Sequence, residues 1–258
     1  MTVINTNTAA TLTANALTKN ERAMSQAMER LSTGVRINSA SDDAAGLAIS
    51  SRMTSQVNGL NMAVRNANDA ISLTQTADGA LVEVENMLQR MRELAVQAAA
   101  GTNGATDNDA LDTEFHALRQ EINRVSLNTE WNGSAVFAPA AAAATSFQIG
   151  ANASQTISVT FNNFQTLSSS TATGDGTDTT QANSKFGASL LTGSSTGIAA
   201  FRLDTAALAQ TAISGLDDAL TAVNTERASY GAAINRLEYA ADNLANVSQN
   251  TSASRSRI

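Results

Sequence analysis

The sequence contains no cysteine and only one proline, Pro139, and aromatic residues make up just 4% of the chain. The absence of cysteine excludes disulfides, thiolate chemistry and thiolate-bound metal sites, although it does not fix the redox compartment. No run of about 18 apolar residues is present, so we do not expect membrane insertion. The N-terminus lacks the basic start and apolar core of a Sec-type signal peptide, so export would need another route.

The charge of the chain is shifted toward the acidic side. Its 258 residues include 23 acidic and 16 basic side chains, which give a formal net charge of −7, and the only lysines are Lys19 and Lys185. Binding to nucleic acid needs a net basic face, so no nucleic-acid partner is expected. The length allows one or two domains.

No combination of residues suited to catalysis or metal binding stands out. His116 is the only histidine, and a lone histidine is a poor metal site, so we expect it on a solvated helical face. The adjacent pairs Asp42-Asp43 and Asp217-Asp218 do not suit paired acid chemistry, because neighbouring helical side chains point about 100° apart. We therefore expect no enzymatic activity, no cofactor and no metal.

The most informative stretch runs from Ser41 to Ala100. Apolar residues recur along it at alternating steps of four and three, a heptad pattern that predicts a long helix packed against a partner. The helix is expected to begin at a cap formed by Ser41 or Asp42, to extend over roughly 80 Å, and to end at Gly101–Gly104. The positions of this seam are Leu60, Val64, Ala67, Ile71, Thr74, Ala77, Leu81, Val84, Leu88, Met91 and Ala95.

Three other helices are predicted. Residues 1 to about 40 have a weak amphipathic pattern, which predicts a helix that needs a partner for stability. A second helix of roughly 18 to 20 residues begins near Asp107–Asp109, and a third resumes the heptad from Ala206, with Arg227 as its polar exception. The apolar positions of these two helices are Leu111, Phe115, Leu118, Ile122 and Val125, then Ile213, Leu216, Leu220, Val223, Tyr230, Ile234, Leu237, Ala241, Leu244 and Val247.

Between the last two helices the period of the pattern changes to two. Ser146–Gly150 and Thr156–Phe161 alternate around Ala151–Ser154, which predicts a small β-hairpin. Residues 168–197 are rich in Ser, Thr and Gly and are expected to form a surface excursion. The predicted fold class is therefore mainly α: a long antiparallel helical bundle or coiled-coil rod with a small β-hairpin subregion.

Five stretches of the sequence carry a family likeness. They are Glu29–Ser50, Arg65–Ser72, Gln89–Gln97, Phe147–Ala153 and Ser254–Ile258. Together they resemble the bacterial flagellins, the subunits of the flagellar filament. The resemblance covers residues 1 to about 165 and 203 to 258 in family order.

The resemblance implies a division of the chain into four parts. Residues 1–43 match an N-terminal inner-core helix and spoke, 44–165 the outer-core helices and β-hairpin, 166–199 a short variable surface excursion, and 200–258 the C-terminal outer-core helix. Family members continue with a further helix that completes the inner core, whereas this sequence stops at Ile258. We therefore expect a truncated chain that lacks the C-terminal inner-core segment.

The resemblance also implies an interaction surface on the long helix. The heptad leaves Gln89, Arg90 and Glu93 at the rim of the seam, where arginine is a favoured interface residue. By the resemblance, Arg90, Leu94 and Glu114 lie at the centre of the surface recognised by the vertebrate toll-like receptor for flagellin. Gln89 and Glu93 flank it, and the same surface is buried between subunits in the filaments of the family.

The function implied by the resemblance is structural: a self-assembling filament subunit, secreted to the bacterial flagellum and used in motility. The implied partners are other copies of the chain, the flagellar type III export apparatus, cap and junction proteins, and the toll-like receptor. Two alternatives stay open. One is a hook–filament junction protein, disfavoured because Asp43 is followed by Ala44 rather than proline, and the other is a surface adhesin that uses residues 168–197.

Overall fold

The computed structural model describes residues 7–137, 144–164 and 202–258. Over these ranges the chain forms helices α1 (Thr8–Thr33), α2 (Ala44–Ala98), α3 (Ala105–Asn128) and α4 (Ala206–Arg257). Short strands lie between α3 and α4: β1 (Glu130–Trp131), β2 (Ser134–Ala135), β3 (Ala144–Gln148) and β4 (Thr156–Thr160). The predicted mainly α class is confirmed, whereas Pro139 and the predicted excursion at 166–199 lie outside the described residues.

The helix α2 begins one or two residues later than the sequence predicted. Its cap is Asp43, whose Oδ1 accepts a hydrogen bond from the backbone N–H of Gly46 at 2.9 Å. A carboxylate in this position satisfies one of the free N–H groups of the first turn and lies at the positive end of the helix dipole. The prediction that Ser41 or Asp42 caps the helix is therefore wrong.

Asp42 instead organises the turn that precedes α2. Its Oδ2 accepts hydrogen bonds from the backbone N–H groups of Asn38 and Ser39, at 3.2 and 3.1 Å. Its Oδ1 accepts from Gln26 on α1, and Arg30 lies 3.8 Å away. These hydrogen bonds, of which the one from Gln26 has the largest effect, lower the pKa of Asp42 to about 2, because they favour the charged carboxylate.

The apolar seam of α2 is confirmed by its burial. Nine of its eleven predicted positions are buried, and Val64 and Ile71 are half-buried. Thr74, the one polar position, is fully buried because its hydroxyl donates to the backbone oxygen of Ala70 at 2.7 Å. This local bond satisfies the hydroxyl, so a threonine is tolerated within the core.

The residue that caps helix α3 is a glycine, which has no side chain to accept a capping hydrogen bond. Gly104 is the cap residue, and the carboxylate of Asp107 accepts a hydrogen bond from the Gly104 N–H at 3.1 Å. The predicted start near Asp107–Asp109 is therefore about three residues late, because the acidic side chain binds back from within the first turn. On the predicted apolar face, Phe115 and Ile122 are buried.

The heptad of α4 is confirmed as far as Leu244 and then shifts. Val247 is exposed, and Ser248 takes the buried position instead. The Ser248 hydroxyl donates to Oδ1 of Asn61 at 2.7 Å, so the polar side chain is satisfied where the pattern predicts an apolar one. The prediction that Val247 belongs to the seam is wrong.

Both strand pairs are antiparallel hairpins. In the pair β3–β4, Phe147 is opposite Ile157 and Thr145 is opposite Val159, and Ile157 and Val159 are buried as the alternating pattern predicts. In the shorter pair β1–β2, the connecting residues Asn132 and Gly133 both have positive φ, 51° and 75°. Positive φ at both central positions is what a tight type I′ hairpin turn requires.

The chain divides into two compact units, of which the first comprises Met1–Asn61 and Ala245–Ile258. None of the described residues of its helix α1 is buried, and Leu31 is 88% exposed. The guanidinium of Arg255 donates to the hydroxyl of Thr54 at 3.3 Å within this unit. In the residues that the structure describes, α1 therefore buries none of its apolar stripe.

The second unit is Met62–Leu244 and contains the main apolar core. The core is built from α2, α3, α4 and the β-hairpin, and full burial of each large side chain contributes roughly 1.5–3 kcal/mol. Its largest fully buried side chains are Tyr230, Phe115, Phe137, Phe164, Leu81, Leu88, Met91, Leu94, Ile122, Leu203 and Leu216. No helix in the described ranges is apolar over a stretch long enough to cross a bilayer.

Candidate functional site

Arg90 on α2 is the centre of a surface cluster that joins two helices. Its Nε donates to Oε1 of Glu114 on α3 at 2.9 Å, and its Nη1 donates to Oε2 of Glu93, one turn along α2, at 3.0 Å. Hydrogen bonds to Glu93 and then to Glu114 raise the pKa of Arg90, so its positive charge is fixed. We call Gln89, Arg90, Glu93 and Glu114 the Arg90 cluster.

The Arg90 cluster is largely exposed to solvent. The side chain of Arg90 is 51% exposed, and those of Glu93 and Glu114 are similarly accessible. Gln89 lies beside it, with its Nε2 3.5 Å from Glu85 Oε1, the limit of a hydrogen bond. Exposed ion pairs of this kind contribute about 0–1 kcal/mol to stability, so the cluster does little to hold the fold together.

Leu94 is the one predicted site residue that the structure does not place in the Arg90 cluster. It is 1% exposed and belongs to the apolar core. Met91 and Ala95, which belong to the seam, are buried too, so all three side chains point into the protein here. Leu94 therefore supports the cluster through packing and is not itself part of the exposed surface.

A second set of ion pairs joins α2 to α4. Arg227 donates from Nε to Oδ1 of Asp78 at 2.9 Å, and its Nη1 binds Glu85. Hydrogen bonding to Asp78 is the largest of the effects that raise the pKa of Arg227. The sequence analysis noted Arg227 only as an exception in the heptad. The signal it missed is the spacing of Asp78 and Glu85, because residues seven apart lie on one face of a helix.

Arg92 makes a further ion pair between α2 and α4. Its Nε donates to Oδ1 of Asp217 at 2.6 Å. Arg90 and Arg92 are two residues apart, about 200° around a helix, so they bind carboxylates of different helices. Asp217 and Asp218 are both exposed, but only the first of the two makes this bond.

His116 lies in a different environment from the one predicted. It is half-buried, and its Nε2 is 3.2 Å from Oδ2 of Asp112, which is four residues earlier on α3. Residues four apart lie on one helix face, so this contact follows from the spacing. Asp112 also accepts a hydrogen bond from the backbone N–H of Leu203 at 2.7 Å. The side chain of His116 is 30% exposed, so the helical face that was expected to be solvated is only partly so.

Glu226 on α4 is a buried carboxylate that the sequence analysis did not identify. Both of its oxygens lie 2.8 Å from Nδ2 of Asn162, just after β4. Tyr230 is fully buried one turn further along α4, and burial raises its pKa well above the usual range. The hydrogen bonds between Asn162 and Glu226 hold the residues that follow β4 against α4. No group of metal-ligating side chains occurs in the described ranges.

Two family profiles match the sequence. Residues 4–142 match the bacterial flagellin N-terminal helical region, and residues 213–258 match the bacterial flagellin C-terminal helical region. This chain belongs to the bacterial flagellin family. The two matches contain α1, α2, α3 and most of α4, which are the helical parts of this chain on both sides of the strands.

Individual flagellins agree with this assignment. Flagellin B of Vibrio cholerae serotype O1 is 33% identical over 99% of this chain and 88% of its own length. A flagellin of Escherichia coli O127:H6 is 51% identical over 61% of this chain. The crystal structure of Bacillus cereus flagellin superposes with a TM-score of 0.52 and 33% identity over 70% of this chain and 88% of its own.

Two of the flagellins that are about half identical to this chain are considerably longer than the matched region. The matches to the flagellins of E. coli O127:H6 and Shigella flexneri each span 28% of those proteins. Within this flagellin chain, the Arg90 cluster lies wholly inside the part that matches the N-terminal helical region.

Proposed function

We propose that this flagellin-family chain is a structural subunit of the bacterial flagellar filament, an extracellular polymer used for motility, and that it is not an enzyme. The observation that carries the proposal is the match of both helical ends, over residues 4–142 and 213–258. Its principal partner is then a further copy of the chain. The type III export apparatus and the cap and junction proteins are the other partners that this role requires.

The apolar stripe of α1 supports a role in assembly. Leu12, Leu17, Met24, Met28 and Leu31 are all more than half exposed. An exposed stripe of large apolar side chains on one helix is typical of a surface that becomes buried in a complex. This stripe provides apolar area that a neighbouring subunit covers when the polymer forms.

The Arg90 cluster is the second surface that we assign to partners. Arginine is enriched at the centres of protein interfaces, and the guanidinium of Arg90 is already held in place by Glu93 and Glu114. We assign this surface to contacts between neighbouring subunits and to recognition by the vertebrate toll-like receptor for flagellin. Leu94 acts there through packing beneath the surface, because it is buried.

Assembly is tested by incorporation of the chain into filaments. Because the sequence has no cysteine, a Tyr239→Cys variant at a largely exposed position of α4 provides a single labelling site. Labelled protein is mixed with flagellin under polymerising conditions, and filaments are examined by electron and fluorescence microscopy. Label along the filaments supports the proposal, and its exclusion from filaments that form normally contradicts it.

The Arg90 surface is tested by Arg90→Ala. We expect about a tenfold loss both in the potency of receptor activation and in the rate of assembly, the effect of removing an interface hot spot. Arg236→Ala, which removes an exposed arginine of α4, controls for the change in net charge. Unchanged signalling in a receptor reporter assay rejects the receptor role, and unchanged assembly rejects the subunit contact.

A further inference from the structure

The sequence contains three Asn-Gly pairs: Asn58-Gly59, Asn103-Gly104 and Asn132-Gly133. Such pairs are prone to deamidation because glycine has no side chain to hinder its backbone nitrogen from approaching the asparagine side chain. We propose that Asn132 is the deamidation site of this protein, and that its conversion to isoaspartate opens the turn between β1 and β2.

The reaction needs only water as co-reactant. The backbone nitrogen of Gly133 attacks Cγ of Asn132, the Cγ–Nδ2 bond breaks, and ammonia leaves with the amide proton, which gives a cyclic succinimide. Water then opens the ring at one of its two carbonyl carbons. Attack at Cγ yields aspartate, whereas attack at the backbone carbonyl yields isoaspartate, in which the chain runs through the side chain. Either product adds one negative charge.

Hydrogen bonds protect the other two pairs. Gly59 lies inside α2, where its N–H is directed at the carbonyl oxygen four residues earlier. The N–H of Gly104 donates to the carboxylate of Asp107 at 3.1 Å, and the side-chain amide of Asn103 donates to the backbone oxygen of Gln97 at 2.7 Å. In both pairs the attacking nitrogen is occupied, and in the second the attacked amide is held as well.

The Asn132-Gly133 pair lies in an exposed turn. Both residues are exposed, and Asn132 has a φ of 51°, a left-handed conformation that asparagine tolerates better than most residues. A methyl group built on Gly133 would meet no atom within 4 Å, so the surroundings leave room for the ring. The strands on either side have only two residues each, so little free energy is needed to open the turn.

Isoaspartate is incompatible with this turn. The turn depends on positive φ at two consecutive residues, and isoaspartate inserts an additional backbone carbon between them. The pairs of Glu130 with Ala135 and of Trp131 with Ser134 then lose their register. Trp131 is the only tryptophan in the chain and is half-buried, so its fluorescence comes from a single position beside this turn.

The test is to age the purified 258-residue chain at mildly alkaline pH and to measure conversion at each asparagine by peptide mapping. Isoaspartate is identified by labelling with an isoaspartyl methyltransferase, and Trp131 fluorescence is followed in parallel. We expect conversion at Asn132 to be at least about fivefold faster than at Asn58 or Asn103, because an ordinary hydrogen bond holds back each of the other two.

Two variants make the test specific. Asn132→Asp has the charge of the product and retains a residue that tolerates positive φ, so its fresh fluorescence should match that of the fresh wild type, whereas aged wild type should differ from both. Asp107→Ala frees the Gly104 N–H and should accelerate conversion at Asn103 without changing Asn132. Equal or faster conversion at Asn58 or Asn103 in the wild type overturns the proposed site. Fluorescence of the isoaspartate form identical to that of Asn132→Asp overturns the opening of the turn.

Discussion

Arg227 offers the clearest test of what holds α4 against α2. One guanidinium binds two carboxylates, Asp78 at 2.9 Å and Glu85. The side chain of Arg227 is 32% exposed, whereas that of Arg92, which joins the same two helices through Asp217, is 44% exposed. Arg227→Ala and Arg92→Ala therefore remove the same chemical group between the same helices at two different degrees of burial.

The two substitutions should differ severalfold in their effect on the free energy of unfolding. Exposed pairs contribute about 0.2–1 kcal/mol, so Arg92→Ala should lower the free energy of unfolding only slightly. Removing one partner of a fully buried pair costs roughly 3–5 kcal/mol. Arg227 lies between these limits, and its loss also leaves Asp78 and Glu85 to repel each other across one helical face. We expect about 2 kcal/mol for Arg227→Ala.

The measurement is urea unfolding followed by far-UV circular dichroism, at low and at high salt. Screening shortens the Debye length to about 3 Å at 1 M salt, which should abolish the effect of Arg92→Ala and leave most of that of Arg227→Ala. A double-mutant cycle with Asp78→Asn isolates the pair itself. Equal losses for the two arginine variants, or a coupling energy between Arg227 and Asp78 near zero, would refute the reasoning.

Three further predictions concern the fold. The pKa of Asp42 in the folded protein is about 2, so its hydrogen bonds stabilise the protein fully above about pH 4 and are lost as the pH falls through 2. In the Asp42→Asn variant, the free energy of unfolding should therefore no longer show this part of its decrease at acidic pH. Phe115→Ala, at a fully buried position, should destabilise the protein by about 3–5 kcal/mol in the same urea assay. Asn162→Ala removes the amide that donates to Glu226 and should lower the free energy of unfolding by about 1.5–3 kcal/mol. Unchanged stability would show that this hydrogen bond does not hold the residues after β4 against α4.

The long seam of α2 could be predicted because burial repeats with the helical period. Leu81, Leu88 and Ala95 are fully buried at the spacing the pattern requires. The same reasoning located β4, since buried Ile157 and Val159 alternate with exposed residues, whereas β3 begins two residues before the predicted Ser146 and does not alternate in burial. In both cases the signal is carried by many residues, so one exception such as Thr74 does not hide it.

Helix ends were predicted less well because one or two side chains decide them. Ser41, Asp42 and Asp43 are all good caps, and the choice of Asp43 depends on Gln26, which is distant in sequence and occupies Asp42. The replacement of Val247 by Ser248 in the core has a similar cause, because Asn61 provides the partner for the hydroxyl. Such choices follow from tertiary contacts that a periodic pattern does not contain.

Residues of the Arg90 cluster were named from a family likeness, but their arrangement is a property of the folded chain. Glu114 follows Arg90 by 24 residues, and only the packing of α3 on α2 brings them together. Leu94 shows the opposite case, because the heptad already assigned that region of the helix to the seam and the residue is buried. Periodicity thus separated core from surface, whereas charge pairing between helices could not be derived from it.

The exposure of the ion pairs on α2 supports the proposal that the Arg90 cluster, rather than the Arg227 pairs, serves recognition. The pairs of Arg90 are exposed, so they contribute about 0–1 kcal/mol to folding, and the fold does not depend on them. The two carboxylates nevertheless fix the guanidinium, which lowers the side-chain entropy lost when a partner binds. The cluster contains one arginine and two glutamates, so its formal net charge is −1. A partner surface that supplies a basic group between Glu93 and Glu114, together with an acceptor for Arg90, is therefore the one that complements it.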